Sequence, residues 1–225
     1  MAKIHGFAGE WARVRGTAFG LWPLFVDILA MGISIALMVF FSMICGLAIF
    51  IITVVAGFWC MANGLRKIER FFIGARGEEK VCGLLRNLPG QYHVFNDFVA
   101  CGVHVDHVVV GPTGVYSLET KFWRGSVSVD EGMILVDGQL PDRDPLIQAK
   151  REATLVNNRL SQLGWRGNVT PVLVFASDTF DASIAEVRGA VVMNSSHLIQ
   201  SFSSGRKIMD QNEIERLVAL MENNR

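Results

Sequence analysis

The sequence predicts an α/β domain, a mixed sheet flanked by helices, carried behind a long apolar N-terminal block. Three observations lead there. Residues 21–62 form a run of 42 with a single charge, Asp27. Beyond the run, short alternating strand patterns are interleaved with segments of helical period. That C-terminal portion has roughly 160 residues of ordinary globular composition, enough for one real core.

Residues 1–20 read as a weakly basic leader, with Lys3, Arg13 and Arg15 against Glu10. The apolar run is far longer than the ~7–15 residue core of a signal peptide, and no small-residue cleavage site comes after it, so it is expected to be retained in a membrane. As one helix it would rise roughly 60 Å, twice the ~30 Å hydrocarbon core. Two spans turning near Ser42-Met43-Ile44-Cys45-Gly46 fit that thickness; a single long tilted span is the alternative. Arg13 and Arg15 precede the run, and Arg66, Lys67 and Arg70 come after it. Only a hairpin puts both basic flanks on the cytoplasmic side. The expectation is a multi-pass inner-membrane protein with its folded domain in the cytoplasm. Asp27 reads as a solvated helix end. Gly32, Gly46 and Gly57 offer close helix approach, and with it homo-oligomer contacts through the membrane region.

Residues 63–73 read as a juxtamembrane linker and 74–225 as the folded domain. Gly74-Ala75-Arg76-Gly77-Glu78-Glu79 opens a helix with apolar positions Val81, Leu84, Leu85 and Leu88, stopped by Pro89-Gly90. Strands are predicted at 92–98, 103–110 and 115–121, and a further hairpin at 126–129 and 133–136. A helix of about twenty residues starts near Asp144-Pro145, where proline is tolerated in the first turn. A buried strand at 169–175, a short strand at 190–193 and helices at 197–202 and 211–221 close the domain.

Bulk charge excludes a basic nucleic-acid-binding module, because after residue 62 there are 18 basic and 19 acidic residues. A local site for phosphate is still compatible with that balance. The four cysteines, Cys45, Cys60, Cys82 and Cys101, form no close pair and read as reduced thiols rather than a disulfide frame or zinc site.

Chemistry concentrates in the stretch HVDHVVVGPTGVYSLETK, residues 104–121. Side chains alternate along a strand, so Glu119 and Lys121 share a face and Thr120 takes the other. A hairpin across Gly111-Pro112-Thr113-Gly114 brings the end of its second strand back beside Asp106. Gln148 and Glu152 lie one helical turn apart on the following helix, and Glu78 lies on the preceding one. Mg²⁺ takes hard oxygen ligands, few carboxylates and several waters. It supplies a nucleophilic hydroxide and charge neutralisation at a phosphodiester, while a neighbouring lysine stabilises developing negative charge. His104 and His107, three residues apart on a strand, face opposite sides, so structural or substrate-contacting roles are expected of them ahead of a two-histidine metal site.

GARGEEKV, DHVVVGPTGVYSLETK and DPLIQAKREA, in this order and on these elements, resemble the nuclease-related domain family of the PD-(D/E)-x-K nuclease superfamily. The likeness covers roughly residues 72–176 and takes in FWRGSV and TPVLVF. It implies a restriction-endonuclease-like core. It also implies that Asp106 and Glu119 bind the metal, Lys121 is the catalytic lysine, and Glu78 helps bind metal or orients a ligand. Gln148 would contact the metal-bound water or the scissile phosphate, with Glu152 less defined. Val105 stands where the superfamily name has proline, a departure the superfamily tolerates. The expectation is a Mg²⁺-dependent nuclease, with Mn²⁺ as the alternative ion. Its partners are DNA, with RNA as the alternative, and the lipid bilayer; its role is defence against incoming foreign DNA. The competing reading is a membrane-tethered nucleic-acid- or protein-binding module that keeps the fold without turnover.

Overall fold

The computed structural model describes residues 1–182 and 184–223. In chain order the elements are β1 (Lys3–His5), α1 (Glu10–Phe40), α2 (Met43–Leu85), β2 (His93–Ala100), β3 (Val103–Gly111), β4 (Gly114–Lys121), β5 (Val127–Asp130), β6 (Met133–Val136), α3 (Pro145–Gln162), β7 (Val169–Phe175), β8 (Ile184–Val187), β9 (Ala190–Asn194), a 3₁₀ turn (Ser195–His197), α4 (Leu198–Ser203) and α5 (Gln211–Glu222). They fall into two compact units. One joins Met1–Glu10 to the chain from Gly74 onward, and the other is Trp11–Ile73.

In the first unit seven strands form one mixed sheet in the order β1-β2-β3-β4-β7-β9-β8. The β2-β3-β4 meander is antiparallel, β4, β7 and β9 run parallel, and the edges are β1, parallel to β2, and β8, antiparallel to β9. β5 and β6 make a separate hairpin. The α/β class and the meander agree with the sequence reading. Two strands do not: Lys3–His5 belong to the sheet rather than to a leader, and Ile184–Val187 lie in a stretch without strand period.

The β3–β4 turn is fixed by its glycines. Gly114 has φ +130°, and a Cβ on Gly111 would lie 2.1 Å from the Tyr92 ring, so neither position accepts a side chain without rearrangement. α3 begins as its sequence dictates, with the Asp144 side chain accepting from the Leu146 N–H and Pro145 in the first turn. Its buried Leu146, Ala149, Ala153, Val156 and Leu160 repeat at three- and four-residue steps, the spacing of one apolar stripe. Burying each of the larger ones contributes roughly 1.5–3 kcal/mol. Val156 and Leu160 pack with α5 and with Phe95, Phe98, Val108 and Val110. Val81 and Leu85, from the end of α2, pack with Leu118, Val109, Val172 and Val174 and with Leu198 and Phe202 of α4. All four cysteines are free.

The second unit is a helical pair. α2 runs unbroken through Asn63-Gly64 and residues 63–73, where the sequence suggested a linker. Leucine, arginine, lysine and glutamate after Gly64 are strong helix formers and outweigh one glycine, which costs about 1 kcal/mol. Glycines set the helix approach: a Cβ on Gly64 would lie 2.5 Å from the Gly20 carbonyl oxygen, and one on Gly57 2.2 Å from an Asp27 carboxylate oxygen. Asp27 is therefore not a helix end; it lies mid-way along α1 against Gly57. Gly32 has open space beside it. Trp22, Phe25, Ile28, Leu29, Ile51, Ile52, Val55 and Phe58 are exposed. By length and composition both helices are candidate membrane spans.

Candidate active site

The site lies where the β3–β4 ladder stops. Its last pairing at that end is His107 with Leu118, so Asp106 and Glu119 fall opposite one another just beyond it. The carboxylate of Asp106 takes over from the ladder there, accepting from the Thr120 backbone N–H at 2.7 Å. Asp97 of β2 falls opposite Asp106 on the other side, between the Asn96–His107 and Phe98–Val105 pairings, with φ +52°. Aspartate is among the few residues that tolerate that conformation. Its carboxylate is bonded to His104 Nδ1 at 2.7 Å.

Lys121 follows Glu119 on the same face. Its ammonium donates to Glu119 Oε1 at 2.5 Å and to Gln148 Oε1 at 2.9 Å, so β4 and the start of α3 hold it from two sides. Gln148 Nε2 in turn donates to Glu152 Oε1 at 2.9 Å. Glu119 and Glu152 are buried, Lys121, Asp106 and Glu78 half-buried, and Gln148 exposed. The chain Glu119–Lys121–Gln148–Glu152 thus runs from the sheet to the helix and ends on a buried carboxyl.

Glu119, Asp106 and Glu152 crowd the Lys121 ammonium, with Glu78 close to the first two. Burial, then Glu119, Glu78 and Glu152, hold Asp106 well above the carboxylate range against the pull of the Thr120 N–H. Burial, then Asp97 and Glu119, push Glu78 up to about 7, although the Gly9 backbone N–H bonds to it and works the other way. Burial, then the neighbouring Glu119, push Glu152 up to about 9. Burial alone would lower Lys121, but Glu119, Asp106 and Glu152 outweigh it and raise its pKa, so it is charged throughout the working range. His107 is fully buried and pushed down to about 3, hence neutral; its Nδ1 lies 2.8 Å from Asn96 Oδ1.

All five residues singled out in the sequence, Glu78, Asp106, Glu119, Lys121 and Gln148, come to this region. Glu152, left undefined by the sequence, lies inside the network. Its i, i+4 relation to Gln148 was the visible signal, but only the buried contact with Glu119 gives it weight. Gly9 had no signal at all. Among the described residues no three His, Cys, Asp or Glu side chains converge closely enough to enclose a metal ion. Asp106 and Glu119 offer instead a two-carboxylate oxygen set of the kind Mg²⁺ accepts when waters complete its shell.

The site is thus a carboxylate–lysine cluster where the ladder between two central strands of a mixed sheet stops, braced by a glutamine from the next helix. Residues 73–176, which contain all of it, match the family model described as nuclease-related domain. Comparison with curated proteins and with solved structures gave no match.

Proposed function

We propose that this protein is a membrane-anchored nuclease that hydrolyses phosphodiester bonds of DNA with the help of Mg²⁺ or Mn²⁺. One observation carries the reading: Lys121 is clamped between Glu119 and Gln148 while Asp106 is fixed beside them by the Thr120 N–H. Such a lysine is positioned before substrate arrives, which is what electrostatic stabilisation of a transition state requires. Asp106 and Glu119 hold the divalent ion, with Glu78 completing or orienting its shell. When bound, the ion supplies a nucleophilic water and neutralises phosphate charge. Lys121 faces the developing charge on the phosphoryl oxygens. Gln148 keeps the lysine aimed and presents its amide edge to substrate or water. Glu152, protonated at neutral pH, spares Glu119 a second full negative charge at its side.

Both ends of the Trp11–Ile73 unit join the same folded unit. If that folded unit stays on one side of a bilayer, the chain crosses an even number of times, which favours the two-span hairpin over a single span. The basic flanks favour the cytoplasm for that side. There the enzyme meets incoming foreign DNA, so defence is its proposed role. The test uses the full chain in detergent with plasmid DNA, linear DNA and RNA, each with Mg²⁺ and with chelator. Metal-dependent cleavage of DNA is expected. Equal inactivity in all arms would support the binding-module reading.

A further inference from the structure

A second site lies in the helical pair. A cavity of about 400 Å³ is lined by Phe19 and Pro23 of α1 and by Trp59, Cys60, Asn63, Gly64, Arg66, Lys67 and Arg70 of α2. Its walls are of two kinds. Phe19, Pro23 and Trp59 make it apolar and aromatic on one side, and three cations ring the other. Arg66, Lys67 and Arg70 are exposed, and among the described residues no ion pair to them is formed.

We propose that this cavity binds the headgroup of an anionic phospholipid, with Arg66, Lys67 and Arg70 on the phosphate and Trp59 and Phe19 against the glycerol and upper acyl chain. The proposal rests on reading the two helices as membrane spans. Three cations around one cavity without acidic partners call for an anion. An aromatic wall beside them calls for an amphiphile, since a free anion gains nothing from Trp59 or Phe19. The position along the chain agrees: the cations come immediately after the long run whose only charge is Asp27. That is where headgroups meet a spanning helix, and where tryptophan and basic residues concentrate. Basic pockets between spans suit such headgroups.

The experiment uses the full chain in a non-ionic detergent. Short-chain phosphatidylglycerol, short-chain phosphatidylcholine and inorganic phosphate are titrated in separate arms, with retained adducts read by native mass spectrometry and quenching of tryptophan fluorescence. Phosphatidylglycerol should bind at least tenfold more tightly than phosphatidylcholine. Converting Arg66, Lys67 and Arg70 to glutamine should abolish that preference, while the same change at Arg206, Lys207 and Arg216 in the other unit should leave it intact. The Trp59→Ala variant should weaken binding of phosphatidylglycerol by several-fold. Equal binding by the wild type and the Arg66/Lys67/Arg70 variant would overturn the proposal. So would inorganic phosphate competing at the affinity of the lipid, which would mark a free-anion site. Release of the wild-type chain from membranes without detergent would instead refute the membrane reading itself, a failure separable from that of the site.

Discussion

At the scale of the residue the decisive group after Lys121 is Glu152. It is buried, it lies beside Glu119, and burial with that neighbour pushes its pKa up to about 9. The Glu152→Gln variant keeps the volume and a hydrogen-bond donor, so at pH 7 it should retain activity within about tenfold. Glu152→Ala, which leaves Gln148 without its acceptor and opens a cavity, should lose about 2–4 kcal/mol of stability and activity with it. A Gln variant as inactive as the Ala variant, with both folded, would show that Glu152 works as an anion. Stability should respond to pH in a definite direction. Glu78 and Glu152 have folded pKa values raised from 4.5 to about 7 and about 9. Their contribution is therefore fully present below pH 4.5 and is lost as pH rises through 7 and then 9. The metal-free chain should melt at falling temperature across that window, and Mg²⁺ should restore more at pH 9 than at pH 6, because it competes with those protons. A Tm that rises with pH in the absence of metal would contradict the assignment.

Elements were legible where their period was long enough to count. The apolar runs through Val108, Val109, Val110 and Val115 on either side of a glycine turn gave the meander, and the stripe from Leu146 to Leu160 gave α3. Lys3–His5 could not be found that way. Three residues carry no period, and their strand exists because the edge of β2 offers Lys3↔His93, Ile4↔Val94 and His5↔Phe95 pairings. Ile184–Val187 likewise depend on β9 for their register. The same limit hid Gly9, which has φ +72° and packs so closely on Ala75 that a Cβ would lie 2.9 Å from the Ala75 Cβ. No side chain advertises such a residue, yet its backbone reaches Glu78. A fragment starting near Leu65 therefore lacks part of its own sheet. Removing residues 1–10 should cost about 4 kcal/mol, from three ladder pairings and the burial of Ile4, and chemical denaturation of the fragment with and without an N-terminal 1–10 extension measures it. Equal midpoints would mean that β1 is dispensable. Gly9→Ala should disturb the backbone contact to Glu78 and raise the Mg²⁺ concentration needed for half-maximal cleavage.

For the whole molecule the notable arrangement is a pair of candidate membrane spans inserted into the sequence of a folded unit rather than placed before it. The chain leaves that unit after Glu10 and returns at Gly74, so protease tags placed at the N-terminus and within the β5–β6 hairpin should be cleaved from the same face of sealed vesicles. Composition and the basic flanks suggested this hairpin without settling it; the pairing of β1 with β2 adds a reason that no hydropathy argument contains. The nuclease reading, by contrast, depends on a few side chains. Its sharpest test is cleavage of plasmid DNA by the full-length wild type, Glu119→Ala and Lys121→Ala proteins in Mg²⁺, each verified as folded by circular dichroism. The wild type should turn over and both variants should lose at least about 10²-fold, the scale on which one preorganised charged group contributes. Undiminished cleavage by Lys121→Ala would contradict that reading.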